Sequence, residues 1–594
     1  MRNRWRSADP RPIIFGIVAL LLVLLGVIQY LAVHCVLLAA NLPGKPLNIL
    51  DYLGLWGTNQ PGERTGAPGW DDLHMTFVVL FSITILTAVI LGIVLWRKRV
   101  KNPEYLPGLA SMSDVVKHAG ERQLLTRARG LRPSLLRPTA TDVGFQIATF
   151  RRTPVWVSVE DPMILVGPSR SGKGFYFVVK MIINAPGAVV TTSCRVDNVK
   201  LALNARKKDG RSVHIFGPGV ESVQGLGHEL RWNLITGCDD YKTLERRIEA
   251  LVPRDSYGAG TTNGGHWDIL GRQLASALFH AAALGDKTVD DIWGWVVNAV
   301  RADEALEIIR GDPRGLPEHA DRLAAVLNLD AEKREVSWGT LATVLAWLGS
   351  RSVREWLKPE PGHNFDIPAF LLNRGTLFLV GNEDGSGGYQ QVVGGLVAEI
   401  DYVADGIASA MPGSRLDPSV SFILDEAANF HIATLPKLIS AGGGSGKQVL
   451  AVFQSRSQMA AWGPANDRAM WDAAAIKVVL PGGSDEQDLR ALSALIGETS
   501  EVRESWSQSD NGGSSSFSEQ ERSIMTAANI RTMPKGTALI FHREMKPIVG
   551  RLSSWLTLPE APQMKESEKA LSLQMRQRSQ YATQVDEQIA KGSR

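Results

Sequence analysis

Two long stretches without a charged residue, 13–40 and 75–96, constrain this chain before anything else. In hydrocarbon every backbone amide must be bonded within the segment, so an uncharged run of roughly 20 residues reads as a spanning helix. Only Gln29 and His34 interrupt the first run, and His34, near its end, reads as an interfacial or helix-packing group. Trp96 closes the second run, a position that suits the membrane–water boundary. A cleaved secretory signal would have a shorter apolar region and no second span behind it. The expectation is a two-helix anchor over residues 1–101.

Cations orient that anchor. Arg2, Arg4, Arg6 and Arg11 precede the first span, Arg97, Lys98, Arg99 and Lys101 follow the second, and the intervening loop carries only Lys45 and Arg64. Positive charge stays on the cytoplasmic side, so both termini and the large C-terminal region are expected in the cytosol. Cys35, Cys194 and Cys238 lie far apart without metal-ligand spacing, which fits a reducing compartment and no thiol chemistry. A formal charge of +3 is too mild to argue for nucleic acid by itself, because phosphate binding needs a localised basic surface.

Residues 102–154 are polar, with Pro103, Pro107, Pro133 and Pro138 and scattered arginines (Arg122, Arg127, Arg129, Arg132, Arg137), and read as a linker with short helices. It is either a solvated connector or a contact for anionic lipid or DNA. Beyond it, short apolar runs at 163–167, 188–192, 213–216, 376–380, 420–424, 449–453 and 477–480 alternate with helical stretches. That alternation predicts an α/β domain on a largely parallel sheet, in two parts at 155–285 and 366–558. Between them, 286–365 has apolar residues at helical spacing, such as Ile292, Val296, Val297 and Val300, and reads as an all-helical insertion. By composition 506–519 is a flexible loop and 559–594 a polar, flexible tail.

The chemistry is concentrated in two places. Gly167, Pro168, Ser169, Arg170, Ser171, Gly172, Lys173 and Gly174 follow an apolar strand and match the GxxxxGK phosphate loop. Glycine lets successive N–H groups face the phosphates, the following helix adds positive potential, and Lys173 reaches the β- and γ-phosphates of ATP. Gly174 stands where the general motif has a Mg²⁺-binding hydroxyl, so the metal depends on acids elsewhere. Asp425 and Glu426 supply them at the end of an apolar strand. Asp425 is expected to hold Mg²⁺ through water and Glu426 to orient the attacking water. Either motif alone is common; together they argue for an ATPase. Gln454 ends another strand, where it could sense the γ-phosphate or serve only as a hydrogen-bonded strand end. The stretch 442–447 (GGGSGK) imitates a second phosphate loop, but Ala441 replaces its first glycine and the strand follows it, so it reads as a flexible turn.

With two spans, GPSRSGKG, a helical insertion and ILDEAANF followed by AVFQSRSQ, the chain resembles type IV secretion coupling proteins of the TraG/TraD kind, relatives of the FtsK/HerA motors. The GHW at 265–267, NFDIPAF at 364–370 and LPGGSD at 480–485 look like the same family, which would cover roughly residues 155–558 and the hairpin. The resemblance implies a RecA-like P-loop ATPase fold and a homo-hexameric ring beneath the membrane. It also implies transfer of DNA, as a relaxase–DNA complex, into the secretion channel, with the insertion recruiting cargo. Within such relatives a glycine after the P-loop lysine is common. Their glycine turn often carries an arginine that 442–446 lacks, so an arginine finger stays unassigned, with Arg456, Arg468 and Arg531 as candidates. The rival reading is a nucleotide-switched docking receptor for protein cargo that pumps no DNA.

Overall fold

In the computed structural model, residues 10–101, 106–252, 264–381, 389–430, 432–509 and 512–579 are described, with the single residues 104, 581 and 584. The cations Arg2, Arg4 and Arg6 used above to orient the anchor lie outside them. The chain divides into two compact units, residues 1–108 with 498–524, and residues 109–497 with 525–594.

In the first unit the helices Pro10–Ala40 and Asp71–Lys101 pack together. Their segments Leu22–Ala40 and Asp71–Gly92 are long and apolar enough to cross a membrane. Ile28, Ala32 and Val78 are buried between them, flanked by Phe77, Phe81 and Ile85. A buried hydrogen bond of 2.8 Å joins His74 Nε2 to Gln29 Oε1, so the buried polar side chain of the first run finds a partner across the pair. The connecting residues fold back on the first helix: Trp56 Nε1 donates to the Leu25 carbonyl at 3.2 Å, and a capping box at Asn48 starts the helix Ile49–Gly54.

Thirteen strands are seen among the described residues. In chain order they are β1 (Gly144–Phe150), β2 (Thr153–Ser158), β3 (Met163–Val166), β4 (Val189–Ser193), β5 (Val213–Phe216), β6 (Thr376–Val380) and β7 (Val420–Leu424). There follow β8 (Lys447–Phe453), β9 (Ile476–Val479), β10 (Glu498–Ser509), β11 (Gly512–Ser523), β12 (Thr537–His542) and β13 (Met545–Arg551). Eleven form one sheet in the second unit, ordered β2-β1-β13-β12-β9-β3-β8-β7-β4-β6-β5. From β9 to β5 every pairing is parallel, while β12, β13, β1 and β2 add an antiparallel wing. β6, β7 and β8 are buried at every position, as their unbroken apolar runs demand of strands covered on both faces. Register decides function here. Val166 pairs with Phe453, Ala451 with Leu424, and Leu424 with Thr192, so β3, β8, β7 and β4 end together on one edge of the sheet.

Between β5 and β6 the described α-helices run from Tyr241–Leu251 and Gly264–Leu284 through Val289–Val297, Asp303–Gly311, Pro317–Leu327, Ala331–Val344 and Arg351–Trp356 to Ile367–Leu372. Leu278, Phe279, Ile292, Trp295, Leu323 and Leu341 are fully buried among them.

Three expectations are corrected. Residues 102–154 are not only a linker: β1 and the start of β2 lie in this stretch and belong to the main sheet. Its Arg132 is buried and paired with Asp417 at 2.6 Å, which removes it from any lipid or DNA contact. The tail 559–594 contains the 18-residue helix Ala561–Arg578, seated by Ala561, Met564, Leu571 and Met575. A narrow apolar stripe holds one helix face down while the average composition stays polar. Of residues 506–519, those described (506–509 and 512–519) lie in the paired strands β10 and β11, with Trp506 opposite Ser515, rather than in a loop. A strand pair is held by backbone groups, which serine and glycine supply as well as any residue.

Candidate nucleotide site

The phosphate loop follows β3 directly, and its backbone shows why this sequence is needed. Arg170 sits at φ 60° and Gly172 at φ 92°, and a Cβ on Gly172 would lie 2.7 Å from the Tyr176 ring. After Lys173 the first turn, Gly174–Val178, is π-wound before the α-helix Val179–Asn184, a local widening that often accompanies function. Lys173 Nζ folds over the loop, 2.8 Å from the Gly167 carbonyl and 3.5 Å from that of Pro168. Burial lowers the pKa of its ammonium, and the Asp425 and Glu426 carboxylates oppose that shift.

Asp425 and Glu426 stand just past β7, on the same sheet edge, where ligands of open α/β sheets bind. Burial, reinforced by Glu426, pushes the Asp425 carboxyl up to about 6 against the pull of Lys173. Glu426 adopts a left-handed backbone, φ 52° and ψ 44°, an unusual conformation for this residue that turns its side chain sharply from the strand line. Gln454 directly follows β8, between the loop and the acids, and its Oε1 is 3.4 Å from Ser169 Oγ. A cavity of about 100 Å³ opens beside it, walled by Gly167, Pro168, Arg456, Trp471 and Leu480. Of the finger candidates, Arg456 stacks over Trp471 at 4.9 Å. Arg531 ends the short helix Ala527–Arg531, and Arg468 lies in Pro464–Ala473.

Lys447 of the glycine-rich turn is nowhere near phosphate chemistry. It opens β8, is 3% exposed, and is ion-paired with Asp401 and, at 2.7 Å, with Asp405.

Sequence reasoning passed over a second layer. Thr192 Oγ1 donates to the Asp425 carbonyl at 2.8 Å, the Cys194 N–H donates to Glu426 Oε2 at 3.3 Å, and Asn429 Nδ2 donates to Cys194 Sγ at 3.3 Å. Thr192 and Cys194 come from β4 and the turn after it, and only the pairing of β4 with β7 brings them to the acids. No spacing rule could have found them, although Asn429 lies within the acidic motif itself.

A nucleoside triphosphate with Mg²⁺ fits these residues. Ser171 Oγ is buried in the loop without a partner, Lys173 is held at the loop mouth, and the crowded carboxyl of Asp425 gains from an added cation.

A phosphate loop and an acidic pair, each after a parallel strand and meeting on one edge of the sheet, define a P-loop nucleotide-binding fold. Comparison with known proteins narrows the class. A family model described as type IV secretory system conjugative DNA transfer matches residues 115–308, and one described as the TraM recognition site of TraD and TraG matches 419–535. Among solved structures, the unbound bacterial conjugative coupling protein TrwB aligns at 18% identity over 69% of this chain and 88% of its own, with a TM-score of 0.52. TrwB with the GTP analogue GDPNP aligns at 19% identity over 66% of this chain and 86% of that one, with a TM-score of 0.50. TrwB with ADP and Mg²⁺ aligns at 18% identity over 69% and 89%, also at 0.50. No curated protein sequence matches the chain. The chain belongs to the type IV secretion coupling-protein family of conjugative DNA transfer.

Proposed function

We propose that this protein hydrolyses ATP to drive a relaxase–DNA complex into a type IV secretion channel, working as a homo-hexamer anchored in the bacterial inner membrane by its two N-terminal helices. The observation that carries the proposal is the convergence of Lys173, Asp425, Glu426 and Gln454 on one sheet edge in a chain of this family. The TrwB structures holding a GTP analogue or ADP with Mg²⁺ support the choice of ligand.

In this reading the N–H groups of residues 167–174 and the Lys173 ammonium bind the phosphates and hold them in line. Asp425 would hold Mg²⁺ through water, and the metal would supply charge neutralisation for the phosphates. Glu426 orients the attacking water and accepts its proton, and Gln454 registers the γ-phosphate beside Ser169. The helical segment 286–365 recruits cargo, and the two spans keep both termini and the ATPase domain on the cytoplasmic side in contact with membrane lipid.

The test is ATP turnover by the full-length protein in detergent, with and without single- and double-stranded DNA. Lys173→Ala is expected to lose nucleotide affinity and turnover together, and Glu426→Gln to bind nucleotide but not turn it over. Turnover that survives both substitutions overturns the proposal. Turnover that is intact but indifferent to DNA in an assembled ring transfers the reading to a receptor for protein cargo.

A further inference from the structure

The acidic pair is held by a closed circuit of contacts. Starting at the Glu426 carboxylate, Oε2 accepts from the Cys194 N–H at 3.3 Å. The Cys194 sulfur accepts from the Asn429 side-chain amide at 3.3 Å, and the Asn429 N–H returns to the Glu426 carbonyl at 2.8 Å. The circuit joins two strand ends more than 200 residues apart in the chain and encloses a glutamate whose backbone is already in the left-handed region. Such a backbone persists only where its surroundings over-determine it. Burial keeps the Cys194 thiol protonated, its pKa pushed up to about 12, so the sulfur is a neutral acceptor and not a nucleophile.

We infer that Asn429 and Cys194 are positioning residues for Glu426: the Asn429 amide fixes the turn after β4, and the Cys194 N–H then aims the Glu426 carboxylate. The inference rests on Glu426 acting in hydrolysis as proposed above. Neither residue belongs to the phosphate loop at 167–174, so nucleotide affinity should not depend on them. Rate does, because a misplacement of about 1 Å in a water-orienting carboxylate costs up to roughly 100-fold.

The experiment is a kinetic cycle on the full-length protein with Glu426→Gln as reference. Asn429→Ala and Cys194→Ala are each expected to lower kcat by roughly 10- to 100-fold with KM for ATP unchanged. The double variant should be no slower than the slower single one, because both cut the same circuit. Cys194→Ser keeps a neutral acceptor and should restore most of the rate, a rescue that a merely structural role would not give. Unchanged kcat, additive losses, or a fall in affinity matching the fall in rate would overturn the inference. If Glu426→Gln itself retains turnover, the fault lies in the assignment of Glu426 and not in the circuit.

Discussion

Thr192 Oγ1 lies 2.8 Å from the carbonyl oxygen of Asp425 and bonds two residues that are neighbours only because β4 pairs with β7. The hydroxyl is buried and donates at the point where the strand ends and the acidic turn begins. Replacing it with the isosteric valine removes one buried hydrogen bond, worth about 1 kcal/mol, and little volume. Thr192→Val is expected to leave the thermal midpoint within a few degrees of wild type and to lower kcat several-fold. A full rate in the variant would show that the clamp is dispensable.

Lys447 tests what the glycine-rich turn is for. It is a buried cation between Asp401 and Asp405, and burial raises the Asp401 carboxyl pKa even with Lys447 beside it. Removing one member of such a pair strands the other, at a cost of roughly 3–5 kcal/mol. Lys447→Met should lower stability on that scale in chemical denaturation, with nucleotide affinity unchanged. Adding Asp401→Leu should restore much of the loss. Weakened ATP binding in a folded Lys447→Met protein would reopen the second phosphate loop.

The C-terminal helix Ala561–Arg578 packs its Met564 into a cluster with Val179, Leu201, Ala205 and Trp555. Val179 begins the helix that continues from the phosphate loop. Met564 is fully buried, so Met564→Ala should destabilise by roughly 2–5 kcal/mol. Limited proteolysis should then release this helix first. Protection equal to wild type would count against its integration into the domain.

Stability should fall on mild acidification. Burial lowers the pKa of His319 and of His214, helped by His280 beside the first and His228 beside the second. An unfolded histidine takes up its proton near pH 6.5, while these two in the fold resist it to lower pH. The sign follows from that difference: the unfolded state binds more protons, so stability is complete above pH 6.5 and declines as pH drops below it. The thermal midpoint should decrease between pH 7.5 and 5.5, and His319→Gln should flatten the slope. A slope unchanged in that variant would remove His319 as a cause.

Much of the fold was written locally. The seven parallel strands fall within a residue or two of the apolar runs, because strands buried on both faces have no polar alternation to obscure them. The antiparallel wing was missed: β1 carries a bulge between Gln146 and Ala148 that breaks its period, and Lys546, Pro547 and Gly550 interrupt the apolar run of β13. The helix after residue 560 was missed because a one-residue-wide apolar stripe vanishes in an average.

The sequence by itself determined the phosphate loop, the acidic pair, the two uncharged runs and the parallel character of the sheet, all of which rest on short-range spacing and on the cost of burying charge. Tertiary structure alone decided which strand ends meet. Sheet order and register put Gln454 between Lys173 and Asp425, aim Thr192 and Cys194 at the acids, and send Lys447 into an ion pair instead of a phosphate site. The first two depend on parallel pairings between segments more than 200 residues apart, and the third on a strand meeting the helix Tyr389–Ala410. Packing over the whole sheet sets these contacts, which leave no trace in any local run of residues.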